Sequence, residues 1–333
     1  MKRSDFMKVG IIGSGPIVET FVEATKGCTG ITLQAIYSRS IEKAKDLAKK
    51  FVIPTYYDNM EEFLHAKDVN FIYVASPNAL HYQHTMQALV AGKNVICEKP
   101  FTSTPEQLLE LIELAKKKQL FLFEAITTIH LPTFHKVKEL LPTLGTIKMV
   151  QCNYSQYSSR YDLYKKGEIT NVFNPEMSGG TLVDLNIYNI HFVMGLFGKP
   201  KHVQYYPNKG PNGVDTSGIA LLEYDNFLSS CIAAKDSASK CMLQVQGDKG
   251  YITIMDTPNQ CYNLEITLLD GTNEKYALQA NENRMYYELC DFYACYQRED
   301  YNGCYDLLPH SLSVLQTITA LRKSADIEFK EDH

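Results

Sequence analysis

Asp184 and Tyr188 stand four residues apart, and His191 follows three further on. On a helix that spacing puts a carboxylate, a phenol and an imidazole on roughly one face. Such a set suits proton exchange at a hydroxyl or carbonyl oxygen. A phenol near pKa ~10 is a poor base at neutral pH, however, and needs a cationic neighbour. Lys99, between Glu98 and Pro100, is a candidate, since an ammonium steadies developing alkoxide charge and depresses a nearby phenol. By residue type alone, Lys99 fits a solvated turn lysine as well. His191 likewise fits a helix histidine bonded to backbone or substrate.

A second group of residues could hold a nucleotide. Val9–Ile12 reads as a short buried strand, followed by Gly13-Ser14-Gly15-Pro16-Ile17. This is two thirds of the G-x-G-x-x-G/A pattern, in which Gly13 permits the tight turn and Gly15 lets backbone approach a pyrophosphate at a helix N-terminus. The third position is Val18, whose branched side chain should loosen the helix–strand contact. A second strand, 31–37, ends in Ser38-Arg39-Ser40 rather than in an acidic residue. A hydroxyl and a guanidinium suit the 2′-phosphate of NADP better than the free ribose of NAD, although NAD remains open. A solvated loop arginine is the alternative.

These residues need a scaffold, and the apolar runs supply one. Strands at 70–75, 94–97 and 120–123 alternate with helices at 41–50, 80–91 and 105–118. Thr104-Pro105-x-Gln107 forms a capping box that opens the last of these helices. This regularity predicts a doubly wound parallel sheet, with ligands at the C-terminal strand ends, where Ser38, Ser76-Pro77-Asn78, His81, Glu98 and Lys99 fall. Beyond a connecting helix at 130–141 the texture changes. A strand at 146–157 and a long loop at 158–178 precede a helix at 179–197, and a strand series from 203 to 269 predicts a large open antiparallel sheet. Two helices, 283–298 and 308–323, close the chain. The expected organisation is α/β. A Rossmann dinucleotide-binding domain covers 1–126, and a substrate-binding and oligomerisation domain covers 127–333, with the C-terminal helices packing back near the first. Arg160, Tyr161 and Asn174 in the loop could grip a polyhydroxylated or anionic substrate.

Composition narrows the function classes. The 333 residues are 45% hydrophobic and 21% charged, with a formal charge of −5 and no basic block, which argues against a nucleic-acid partner. No apolar run approaches the ~18 residues of a membrane span. Nine scattered cysteines without C-x-x-C fit a reduced cytoplasmic protein rather than a disulfide framework or zinc site. Neither G-x-S-x-G nor H-E-x-x-H occurs to suggest hydrolysis, and no metal site is expected.

Together VGIIGSG (9–15), SRS (38–40), ASPNALHYQHTMQALVAGKNVICEKP (75–100), EA (124–125), GGTLVDLNIY (179–188) and HSLSVLQTITALRKSA (310–325) resemble the Gfo/Idh/MocA oxidoreductases over almost the whole chain. The resemblance implies a nucleotide domain followed by an α/β domain with an open sheet often used for oligomerisation. It implies NAD(P)-dependent oxidation or reduction of a sugar, polyol or small diol; the predicted sheet between 201 and 269, too broad to leave one face uncovered, predicts a homodimer or homotetramer. It places Lys99 near the nicotinamide and the reacting oxygen, and makes Asp184 the motif aspartate. Tyr188 stands where many members carry histidine, which matches the glucose-fructose oxidoreductase and dihydrodiol dehydrogenase branch, largely NADP users. The competing expectation is a non-catalytic nucleotide-sensing protein on the same scaffold. Such a protein would be expected to lose the acid/base residues, yet Lys99, Asp184 and Tyr188 all stand.

Overall fold

A computed structural model describes residues 6–333. The chain forms two compact units, one built from residues up to Ala125 together with Asn283–Leu312, the other from Ile126–Glu282 together with Ser313–His333.

The first unit holds β1 (Met7–Ile12), α1 (Pro16–Thr25), β2 (Ile31–Tyr37), α2 (Ile41–Phe51), β3 (Thr55–Tyr57), α3 (Met60–Leu64), β4 (Phe71–Val74), α4 (His81–Val90), β5 (Asn94–Glu98), α5 (Pro105–Lys118) and β6 (Leu122–Ala125). The six strands form one parallel sheet in the order β3-β2-β1-β4-β5-β6. β4 is buried along its length, as a strand covered on both faces must be. Phe21 of α1 stacks on Tyr73 of β4 with ring centroids 3.7 Å apart, and Val18 is fully buried in the same core. β3 is too short and too exposed for a periodicity signal, and sequence reading misses it.

Thr104 caps α5 as expected, its hydroxyl accepting from the Gln107 amide. The return arm of the box differs, because the Gln107 side chain accepts from Ser103 N, 3.2 Å away, rather than from the cap residue itself. α5 buries Leu108, Leu111, Ile112 and Ala115, the i, i+3, i+4, i+7 stripe of an amphipathic helix.

The second unit contains α6 (Pro132–Leu140), β7 (Ile147–Ser155), α7 (Ser159–Lys165), α8 (Ile187–Phe197), β8 (His202–Lys209), β9 (Asp215–Glu223), β10 (Leu228–Ala234), β11 (Met242–Gly247), β12 (Gly250–Ile254), β13 (Asn263–Leu268) and β14 (Asn273–Ala277). Its eight strands run in the order β14-β13-β12-β11-β7-β10-β9-β8. The expected simple meander is interrupted. β7 lies between β11 and β10 and pairs in parallel with β10, and every other pair is antiparallel. One face buries Tyr205, Ala220, Leu222, Cys231, Ala233, Val150 and Val245; the other leaves Tyr206, Ile219, Leu221, Leu228, Met149 and Tyr251 exposed.

The expected loop at 158–178 is structured in part. Ser158 caps α7 by accepting from Arg160 N, and short 3-10 turns follow at Asn171–Phe173 and Pro175–Met177. The last two helices are Met285–Gln297 (α9) and Tyr301–Ser324 (α10). α10 starts seven residues before the expected Leu308, because Pro309, favoured at a helix's first turn, here lies inside it.

Candidate active site

The first unit gathers its candidate residues at one edge of the parallel sheet, where β2, β1, β4 and β5 end side by side. After β1, Gly13 adopts φ +143°, and a Cβ there would stand 2.4 Å from the Ala75 carbonyl oxygen, so only glycine fits. Gly15 is different: an added Cβ would meet no protein atom within 4 Å. Nothing in the fold itself demands glycine there. Open space over the amide-rich start of α1, which has no side-chain cap, is what a pyrophosphate requires. Ser14 and Pro16 are exposed and Ile17 is partly so. The residues present therefore fit a dinucleotide.

Ser38 follows β2 with its amide bonded to the Tyr57 carbonyl at 3.1 Å, and Arg39 is exposed beyond it. Arg39 lies close enough to His84 to hold the imidazole below its ordinary pKa, second to burial in that effect. His84 Nδ1 is 2.9 Å from Ser76 Oγ, so the ends of β2 and β4 form one polar patch with Pro77 and Asn78 beside it.

His81 is fully buried, with Nδ1 2.8 Å from the Pro100 carbonyl and Nε2 2.9 Å from that of Ser76. Two carbonyls favour the protonated ring. Burial outweighs them, aided by His84 and Lys99, and pushes the pKa down to about 4.

Lys99 is half-buried at the end of β5, amid carboxyl groups. Tyr73 donates to Glu98 Oε1 at 2.6 Å, and burial raises the Glu98 pKa against that bond and the charge of Lys99. Glu124 at the end of β6, which sequence reading leaves without a role, is pushed up to about 7, first by burial. Glu288 of α9 is fully buried, has no hydrogen-bond partner for either oxygen among the described residues, and is raised well above its usual range, again first by burial.

In the second unit Asp184 does not lie on a regular α-helix. It sits in a π-helical turn, Leu182–Asn186, that precedes α8. Asp184 is half-exposed, while Tyr188 and His191 are buried. The turn is held from below: Asp215 Oδ2 accepts from Leu182 N at 2.6 Å and from Tyr205 Oη at 2.7 Å. Tyr154 of β7 lies against Tyr188, ring centroids 6.1 Å apart.

The structure also pairs Asp184 with Lys235, which sequence reading misses; the ammonium donates to Asp184 Oδ2. Its one sequence signal is a charged Lys-Asp pair directly after the apolar strand β10. Arg160 is exposed at the start of α7. Tyr161 packs with Tyr164, Phe173 and Val214, and Asn174 Oδ1 caps a turn by accepting from Glu176 N at 3.0 Å. Of the residues expected to bind substrate, Arg160 is exposed, Tyr161 and Asn174 are partly exposed, and His191 is buried. Among the described residues no cluster suited to a metal ion occurs, and no helix is long and apolar enough to cross a membrane.

Residues 7–126 match the profile of the oxidoreductase family with an NAD-binding Rossmann fold, and residues 134–253 match the GFO/IDH/MocA C-terminal domain. The chain is 33% identical over 326 residues to scyllo-inositol 2-dehydrogenase (NADP(+)) IolU of Bacillus subtilis (strain 168), covering 98% of this chain and 99% of that protein. It is 30% identical over 281 residues to trans-1,2-dihydrobenzene-1,2-diol dehydrogenase of Xenopus tropicalis, covering 81% and 80%. Among solved structures, KijD10, a 3-ketoreductase from Actinomadura kijaniata in complex with NADP and TDP-benzene, shares the fold with a TM-score of 0.83 at 22% identity, covering 96% of this chain and 98% of that one. With both family domains matched and an end-to-end relative at this identity, the chain belongs to the Gfo/Idh/MocA family of NAD-binding oxidoreductases.

Proposed function

We propose that the protein is an NADP-preferring dehydrogenase or reductase acting on a CH–OH group of a polyol, sugar or small diol. The observation that carries the cofactor choice is the end of β2, where exposed Arg39 follows Ser38 and no carboxylate is present to meet a free ribose. The substrate class rests on the likeness to a scyllo-inositol dehydrogenase and a dihydrodiol dehydrogenase.

In this reading Gly13–Ile17, Ser38, Arg39, Ser76–Asn78 and His81 hold or shape the dinucleotide site of the first unit. When bound, the nicotinamide supplies the hydride acceptor or donor. Tyr188 exchanges the proton of the substrate oxygen, Lys99 stabilises charge developing on that oxygen, and Asp184 orients the acid/base group or a substrate hydroxyl. Arg160 and His191 contribute to substrate binding. The second unit also carries the self-association surface, its exposed apolar sheet face supporting a homodimer or homotetramer. Nine free thiols support a reducing, cytoplasmic setting.

The test is a panel of scyllo-inositol, an aldose and trans-1,2-dihydrobenzene-1,2-diol, each with NADP and with NAD, read by nicotinamide absorbance. Turnover of at least one with NADP favoured is expected; no turnover of any sinks the reading. Arg39→Ala should weaken NADP selectively, by about 1–3 kcal/mol for a lost charge-assisted pair. An equal loss for both dinucleotides would remove the 2′-phosphate role.

A further inference from the structure

Lys235 is an unusual lysine. Its side chain is only 8% exposed, against 31% for its partner Asp184, and a buried ammonium is costly unless paired. Its backbone is equally engaged. Its amide donates to the Thr216 carbonyl and its carbonyl accepts from Ser158 N, both at 2.9 Å. Ser158 in turn caps α7, the helix that carries Arg160 and Tyr161. One residue therefore touches two pieces of the candidate site, the turn bearing Asp184 and the start of α7.

The surroundings leave the ammonium little choice of partner. Asp236, the next residue, is already engaged, its Oδ2 accepting from Thr216 Oγ1 at 2.7 Å and Ser217 Oγ at 2.8 Å and its Oδ1 from Ser237 Oγ at 3.1 Å. Asp215, on β9, is bonded to Leu182 N and Tyr205 Oη, although it feels the charge of Lys235. Tyr205 from β8, Tyr154 from β7, Tyr188 and His191 on α8 and Cys231 on β10 are further titratable groups on the elements around the turn. Burial, and then the charge of Asp215, push the Tyr205 phenol up.

We propose that Lys235 is a positioning residue for this oxidoreductase, holding the Asp184 carboxylate ionised and in one orientation while its carbonyl ties down the start of α7. This rests on the role given above to Asp184. A cation in contact favours the charged carboxylate and gives its Oδ2 a fixed partner. Lys235 itself stays off the reacting atoms.

The experiment compares Lys235→Met, Lys235→Arg, Asp184→Asn and the Asp184→Asn/Lys235→Met pair, with scyllo-inositol and NADP as assay. Lys235→Met is expected to lower kcat/KM by up to about 10²-fold, the scale of a misplaced catalytic group. Its acid limb should move to higher pH, because Asp184 then loses its charge sooner. NADP binding, read by fluorescence, should be unchanged. Lys235→Arg should recover part of the rate, and Lys235→Met should add nothing in the Asp184→Asn background.

A parental rate and pH profile in Lys235→Met, with Asp184→Asn impaired, overturns the proposal and leaves the role of Asp184 standing. A loss equal at every pH and additive with Asp184→Asn marks a purely structural lysine and also overturns it. Full activity of Asp184→Asn removes the reading of Asp184, and the role of Lys235 with it. Melting temperatures read the pair without substrate: Lys235→Met should destabilise the parent but not Asp184→Asn, and equal losses in both refute the coupling.

Discussion

His81 and Pro100 are joined across the sheet edge, the Nδ1 of one 2.8 Å from the carbonyl oxygen of the other. Because Nε2 faces the Ser76 carbonyl at 2.9 Å, the ring bridges the segments after β4 and β5, and Lys99 lies directly before Pro100. The residue that sequence reading offers as a cofactor contact is thus a buried strut beside the candidate catalytic lysine. Replacing it by leucine should lower kcat about tenfold through looser placement of Lys99. The pH dependence has a definite sign. With the folded pKa depressed to about 4 from 6.5, the unfolded chain takes the proton first. The stability tied to the neutral ring is complete above about pH 6.5 and is lost as pH falls towards 4, by roughly 3 kcal/mol. Urea midpoints at pH 7, 6 and 5 should fall more steeply in the parent than in His81→Leu; parallel slopes would exclude the strut's titration as a cause.

Glu288 carries the opposite sign. Burial and then the charge of Glu98 raise its carboxyl well above 4.5, while Arg284 opposes them. The folded state therefore keeps a proton that the unfolded chain releases. Stability from this group is full below about pH 4.5 and is lost as pH rises through the folded value. Glu288→Gln, isosteric with the protonated form, should melt higher than the parent at pH 8, with the gap narrowing at pH 5. A variant that melts lower at pH 8 would show that the carboxylate is paired.

The two glycines of the first turn should separate folding from binding. Gly13→Ala drives a methyl into the Ala75 carbonyl at a backbone angle disfavoured for alanine, so both melting temperature and dinucleotide affinity should drop. Gly15→Ala meets no protein atom and should fold normally, while losing dinucleotide affinity by at least about tenfold. Unchanged NADP titration in Gly15→Ala would move the pyrophosphate elsewhere.

The acid/base assignment separates by three substitutions. Lys99→Ala should reduce turnover by roughly 10²–10⁴ with dinucleotide binding largely kept. Tyr188→Phe keeps the buried ring and removes only the hydroxyl, so its cost should appear in turnover rather than in melting temperature. Full turnover in Tyr188→Phe beside a dead Lys99→Ala makes lysine the proton carrier; a collapse confined to His191→Asn transfers the role there.

The exposed sheet face gives the assembly prediction. Tyr206, Ile219 and Ile232 line one cross-strand row over β8, β9 and β10, and Ile219 is 42% exposed. Ile219→Lys should shift sedimentation from dimer or tetramer towards monomer without altering circular dichroism. A parent that sediments only as monomer at micromolar concentration would contradict the interface outright.

Local signals were enough for the scaffold and for naming part of the candidate site. A four-residue apolar run before Gly13, a Pro after Gly15 and the Thr104 cap each act within one turn of chain, so their physics is visible in order along the sequence. The same holds for the absence of an acid after β2. Tertiary structure decided what those residues touch. Lys235 and Asp184 are 51 positions apart, and no periodicity links them. β7 enters the middle of the second sheet, paired in parallel with β10, a long-range pairing that strand spacing cannot reveal. His81 looks like an exposed helix start and Glu288 like an ordinary helix acid until neighbouring elements bury both. Burial depends on which surfaces meet, and it is burial that sets the charge state of each.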